Sequence, residues 1–208
     1  MGLARSRDVF EFRDTVQFNP NQNGLAVTRE ILELNDPTPI LPFLYLGSIM
    51  GNNNPDILKM IGITHVLNTA YNITPNYQLF SDPTIKYKHI LSDDDPNYNI
   101  RQHFEEGIAF IDECVASNGK IFVHCKGGKS RSVSIVIAYL MYRYHLSFPE
   151  AYSYVFSKRP VIKLNLGFIQ QLIYYDNQLS FLRYVYGMTN AYTISSSVPI
   201  SRSQLKAA

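Results

Sequence analysis

The sequence predicts an α/β fold, a mostly parallel sheet covered by helices, and three observations predict it. Short β-branched or apolar runs, Ile63–Leu67, Ile85–Ile90 and Lys120–Val123, suit strands that are buried. They alternate with segments of helical period, the clearest being the stripe Ile100, Phe104, Ile108, Ile111 and Val115. The chain has 208 residues, which suits one medium domain with extensions and a core that needs no disulfides.

Residues 1–37 show no sustained period and contain the turn-rich stretch Asn19–Gly24, so they read as an N-terminal extension with one short helix over Val27–Leu34. The domain is expected over residues 38–184. Leu44–Gly47 reads as its first strand. Asn54-Pro55-Asp56 starts a helix that Gly62 stops. The stripe from Ile100 ends at Gly119, a strand follows at Lys120–Val123, and Ser132–Tyr144 is apolar on nearly every side, as in a centrally buried helix. Ser147-Phe148-Pro149-Glu150 is a capping box for a helix to about Lys158, and Asn165 caps a last one carrying Phe168, Leu172, Tyr175 and Leu179. Residues 185–208, rich in Ser and Thr, read as a flexible tail.

Composition excludes several classes. Hydrophobic residues make up 46% and charged residues 17%, a globular balance, and a net charge of +2 without basic runs argues against nucleic-acid binding. The longest apolar stretch, Val133–Tyr142, is about half of a bilayer span. No signal-peptide core opens the chain. Two cysteines, Cys114 and Cys125, make no disulfide framework and point to a reducing compartment, with a cytoplasmic location expected and the nucleus or a membrane surface as alternatives.

The chemistry is expected in Val123-His124-Cys125-Lys126-Gly127-Gly128-Lys129-Ser130-Arg131-Ser132, between a buried strand and the first turn of a buried helix. A loop wrapped around a helix N-terminus aims successive N–H groups at one point, where the helix dipole adds positive potential. Lys126, Gly127, Gly128, Lys129 and Ser130 would supply those amides, the glycines allowing the tight path. Arg131 offers a bidentate fork to two phosphate oxygens. The same cup favours a thiolate at Cys125, able to attack phosphorus, while Ser132 is placed to hydrogen-bond the sulfur and help it leave. His124 is expected to order the loop through hydrogen bonds. A nucleotide-binding loop is excluded because it needs glycine where Val123 stands. A zinc site fails as well: two cysteines and five scattered histidines give no paired ligand spacing.

His-Cys, five residues, then Arg-Ser resembles the signature of the dual-specificity branch of the protein-tyrosine-phosphatase superfamily. The likeness extends over about residues 38 to 184. Leu44-Tyr45-Leu46-Gly47-Ser48, Ile63-Thr64-His65-Val66-Leu67-Asn68, Ala138-Tyr139-Leu140-Met141, Leu146-Ser147, Ala151-Tyr152, Arg159-Pro160 and the run from Asn165 through Gly167-Phe168 to Gln171-Leu172 stand where the family has the same words. Gly127 replaces the usual alanine and Leu164 a frequent proline. The resemblance implies a protein-tyrosine-phosphatase-like three-layer fold with a five-stranded sheet, no metal or organic cofactor, and Asn165 as a brace of the phosphate loop.

The family also carries an acidic residue on a loop before the amphipathic helix. This chain offers Asp93, Asp94 and Asp95, and counting back from Asn99-Ile100 the family offset falls on Asp94, with Asp93 in reserve. The expected reaction is hydrolysis of phosphotyrosine and phosphoserine/threonine in proteins through a phosphocysteine, by a small atypical member acting as a monomer. The alternatives are a phosphoinositide or other non-protein phosphatase, or a catalytically inactive phosphate-binding module. Lys126 and Lys129 read either as attraction to a polyanionic substrate, anionic lipid included, or as solvated loop lysines. Met1-Gly2 with Ser6 fits an N-myristoylation signal, an anchor that would be reversible on its own.

Overall fold

In the computed structural model, which describes residues 36–185, five strands form one sheet: β1 (Thr38–Leu41), β2 (Leu44–Gly47), β3 (His65–Asn68), β4 (Lys86–His89) and β5 (Ile121–His124). Their order is β1-β2-β5-β3-β4; the last four run parallel and β1 pairs antiparallel at the edge. The expected helix over Val27–Leu34, Gly2 and the tail after Tyr186 lie outside the described residues. No helix among the described residues is long and apolar enough to cross a membrane.

Seven α-helices complete the described part: α1 (Ile49–Asn52), α2 (Pro55–Met60), α3 (Tyr77–Phe80), α4 (Phe104–Ala116), α5 (Arg131–Tyr144), α6 (Phe148–Lys158) and α7 (Leu166–Val185). Strand side chains divide by alternation. Leu44, Leu46, Leu67, Ile121 and Val123 join the main core under α4 to α7, while Val66 and Phe122 join Leu58 of α2 and Leu79 of α3 in a smaller core on the opposite face. Three layers result, as expected. α5 is the central helix, buried at every position but Tyr142 and Arg143. Each large aliphatic side chain so buried contributes about 1.5–3 kcal/mol relative to exposure.

Local signals in the sequence explain the helix ends. Asn54 caps α2 by accepting the Ile57 N–H at 3.3 Å, and Gly62 follows with φ of 81°. Ser147 and Glu150 form the expected capping box of α6. Three readings need correction. β1 precedes the strand read as first; Pro39 disguised it, yet proline is tolerated on an edge strand, where no ladder partner needs its missing N–H. The stripe from Ile100 opens as a 3₁₀ turn over Ile100–His103, and α1 and α3 are single turns too short to show a period.

His124 closes β5 and needs a fourth correction. Its side chain falls on the side of Phe122, on which the ring stacks with centroids 5.2 Å apart and planes 12° apart. Neither ring nitrogen makes a hydrogen bond of normal geometry, so the ring is held chiefly by its packing on Phe122. Burial pushes its pKa from 6.5 down to about 3, with His89 acting in the same direction and the Cys125 backbone opposing. The folded protein therefore keeps this ring neutral, while the unfolded chain protonates it below about pH 6.5. Its contribution is complete above pH 6.5 and lost as pH falls towards 3, at up to about 1.4 kcal/mol per pH unit. Burial lowers His65 and His103 as well, in the same sense. Urea midpoints should thus fall between pH 7 and 4.5, and the fall should be shallower in His124→Phe. An equal slope in both proteins would place the acid sensitivity elsewhere.

Candidate active site

The connection from β5 to α5 is Cys125 to Ser130, and its carbonyls are drawn outward by the scaffold. The Ile49 N–H donates to Lys126 O at 3.2 Å, the Lys163 N–H to Lys129 O at 2.8 Å, and Arg159 Nε to Gly128 O at 2.9 Å. With those carbonyls tied back, the peptide planes turn their N–H groups to the other side. Among the described residues the amides of Lys126, Gly127, Lys129 and Ser130 meet no protein acceptor. Such a concave row of donors is an anion site.

The turn depends on Gly128. It has φ of 61°, and a Cβ there would stand 2.5 Å from the carbonyl oxygen of Gly47 and 2.7 Å from Arg159 Nη2. Gly127 is different: a Cβ would meet only the Lys129 side chain at 3.8 Å, so the alanine usual in the family would fit as well.

Cys125 is buried at the floor of the cup. Its sulfur accepts the Gly128 N–H at 3.2 Å and the Ser132 hydroxyl at 3.2 Å. Ser132, on the first turn of α5, therefore stands where the sequence put it. Cys114, the other free cysteine, lies in the main core, and burial pushes its thiol up to about 12, away from reactivity.

Arg131 is 4% exposed. Its Nη1 donates to Asn72 Oδ1 at 3.1 Å and to Ser92 O at 3.3 Å, and its Nε lies 3.7 Å from Asp94 Oδ2. These partners come from the loops after β3 and β4, at the carboxyl ends of parallel strands, where open α/β sheets place their ligands. The loops are tied together: Thr69 donates to His124 O, Ser92 Oγ to Thr69 O at 2.6 Å, and the Tyr71 N–H to Ser92 O at 3.1 Å.

Of the three aspartates, Asp94 is the one brought to the loop. Its Oδ1 accepts the Ser130 hydroxyl at 2.6 Å and Asn165 Nδ2 at 3.1 Å. Asp93 instead accepts the N–H of its neighbour Asp94, and Asp95 accepts the Asn97 N–H as in an Asx turn, each at 2.7 Å. Asn165 is corrected in part. Its side chain spans Asp94 and the Phe168 N–H, which it caps at 2.9 Å, whereas the brace on the phosphate loop is Arg159.

Arg159 was quoted from the sequence only as a family word. It lies buried behind the loop, donating to Gly128 O and, at 2.8 Å, to Thr38 Oγ1, with Nη2 3.6 Å from Asp36 Oδ1. Burial lowers its pKa, while Asp36 and Cys125 act to raise it. Asp36 in turn accepts from the backbone and hydroxyl of Ser48. Asn72, Ser92 and Asp36 carried no sequence signal beyond their places in loops at strand ends. Lys126, Lys129 and Lys163 are exposed around the rim.

The comparisons with known proteins agree with this geometry. The family model for the dual specificity phosphatase catalytic domain matches residues 44–178. Dual specificity protein phosphatase 1 of Arabidopsis thaliana is 38% identical over 148 residues, 71% of this chain and 73% of that protein. Human dual specificity protein phosphatase 6 is 42% identical over 144 residues, 69% of this chain but only 37% of the relative. The crystal structure of DUSP15 superposes with a TM-score of 0.64 at 32% identity, covering 73% of this chain and 95% of that one. With a cysteine sulfur, an arginine and an aspartate carboxylate converging on a row of free amides, and a family match over most of the described residues, the chain belongs to the dual specificity phosphatase family.

Proposed function

We propose that the chain hydrolyses phosphotyrosine and phosphoserine/threonine esters in proteins, with Cys125 as nucleophile, Arg131 as phosphate clamp and Asp94 as general acid. The observation that carries this reading is the sulfur of Cys125, held by two donors beneath amides that have no protein acceptor. A phosphoryl group seated on those amides lies in line with the sulfur. Arg131 turns its fork from Asn72 and Ser92 onto two equatorial oxygens, stabilising charge that develops in the transition state.

Sulfur attacks phosphorus as the bond to the leaving oxygen breaks, and Asp94 gives that oxygen a proton. The ionised Asp94 then takes a proton from water as water attacks the phosphocysteine, and the S–P electron pair returns to sulfur, aided by the Ser132 hydroxyl. Neither step calls on a metal or organic cofactor. The thiolate must stay reduced, since a sulfenic acid cannot attack phosphorus, and this supports a cytoplasmic or nuclear setting.

Phosphorylated proteins rank ahead of phosphoinositides because the relatives are named protein phosphatases. The rim nevertheless favours substrates with a second anionic group. The backbone bond between Lys163 and Lys129 brings the 161–165 loop to the cup, so Lys163 joins Lys126 and Lys129 as a third exposed ammonium.

Three variants test these assignments. Cys125→Ser should abolish turnover of p-nitrophenyl phosphate and retain binding of a phosphopeptide, and Asp94→Ala should slow turnover of a phosphopeptide by roughly 10²–10⁴-fold. An active Cys125→Ser protein, or activity insensitive to vanadate, would refute the mechanism. Lys129→Ala should raise KM for a doubly phosphorylated peptide about three- to tenfold at low salt, with kcat little changed and the difference fading at high salt. Equal KM values for singly and doubly phosphorylated peptides in both proteins would make these lysines solvated surface groups, and faster turnover of a phosphoinositide than of either peptide would reverse the ranking of substrates.

A further inference from the structure

Ser130 occupies the N-cap position of α5, the place where a serine ordinarily accepts an N–H from the first turn. It makes no such bond. Its hydroxyl donates instead to Asp94 Oδ1 at 2.6 Å. Two consequences follow from this one rotation. The first-turn amides of α5 keep their hydrogens for an anion, and the acid loop gains an anchor on the phosphate loop itself.

The anchor is reinforced from the other side. Asn165 donates to the same Oδ1 at 3.1 Å, and its own orientation is fixed because its Oδ1 accepts the Phe168 N–H at 2.9 Å. At Gly167, the second residue of α7, a Cβ would fall on the carbonyl oxygen of Pro96, so the acid loop rests against the helix where only glycine leaves room. Ser130, Asn165 and Gly167 thus hold the Asp93–Pro96 segment at its two ends.

We infer that Ser130, with Asn165, is a positioning residue that holds the general acid closed over the cup and selects which carboxylate oxygen carries the proton. Oδ1 accepts two hydrogen bonds and is the anionic oxygen. Oδ2 lies 3.7 Å from Arg131 Nε and, among the described residues, accepts no hydrogen bond. The proton rides on Oδ2 and passes to the leaving oxygen as its bond to phosphorus breaks, that bond's electron pair staying on the oxygen. The return proton from water goes to the same Oδ2. Closure is built into the resting protein and does not wait for substrate.

This rests on Asp94 as the acid, and the experiment separates the two claims. A series of aryl phosphates is hydrolysed, from p-nitrophenyl phosphate, whose phenolate leaves without help, to phenyl phosphate, whose phenoxide needs the proton. Asp94→Ala should lose at least roughly 100-fold on phenyl phosphate and far less on p-nitrophenyl phosphate. Ser130→Ala should show the same graded pattern at smaller size, roughly tenfold on phenyl phosphate, in keeping with one lost charge-assisted hydrogen bond. Asn165→Ser keeps a helix cap but cannot reach Asp94, so it should repeat the gradient in a protein whose α7 is intact. It decides the matter if Ser130→Ala does not fold.

If Asp94→Ala is graded while Ser130→Ala and Asn165→Ser slow every ester equally or not at all, the positioning role is wrong and the acid stands. If Asp94→Ala itself shows no gradient, the acid is another residue and the inference falls with it.

Discussion

The site depends on how the chain passes from a fully buried strand into an almost fully buried helix in the six residues Cys125 to Ser130. Both ends are fixed by packing, so the connection cannot relax by moving them. It resolves the constraint by turning left-handed at Gly128 and surrendering three carbonyls to Ile49, Arg159 and Lys163. Peptide groups are rigid planes, and a carbonyl held outward commits the N–H of the following residue to the inside. The anion cup is thus a by-product of bonds made on its outer surface.

The same geometry explains why an arginine stands behind the loop. Arg159 reaches Gly128 O, Thr38 and Asp36 in three directions from a buried place, which a rigid fork can do and a flexible ammonium cannot. Asp36 offsets the desolvation of that guanidinium, since a buried cation without a partner is costly. The residues just ahead of β1 are by this route part of the phosphate loop's support. Arg131 contrasts with it. Its bonds to Asn72 and Ser92 hold the fork beside the cup.

Much of this was legible in one dimension. The alternation of apolar runs with helical stripes gave the parallel sheet and the central α5, because buried strands and buried helices each need their own periodicity. The spacing of Cys125, Arg131 and Ser132 announced the cup, because that chemistry is local to one loop. Less local matters stayed hidden. β1 lies behind a proline, α1 and α3 are single turns, and His124 looked like a polar brace until alternation along β5 put it against Phe122. The family resemblance implies that Asn165 supports the phosphate loop, whereas its amide group is shared between Asp94 and a helix cap.

What the sequence determined alone was therefore whatever is set by neighbours along the chain: element type, the caps of α2 and α6, and the loop that carries Cys125 and Arg131. Tertiary structure decided everything that requires segments distant in sequence to meet. It brought Asp94, one of three adjacent aspartates, to Ser130 and Asn165, and Asn72 and Ser92 to Arg131. Asp36, Thr38 and Arg159 likewise met behind Gly128 only once the chain was folded. The reason is physical: a hydrogen bond is fixed by distances of about 3 Å between atoms, and only packing of the whole sheet and its helices sets such distances across tens of residues.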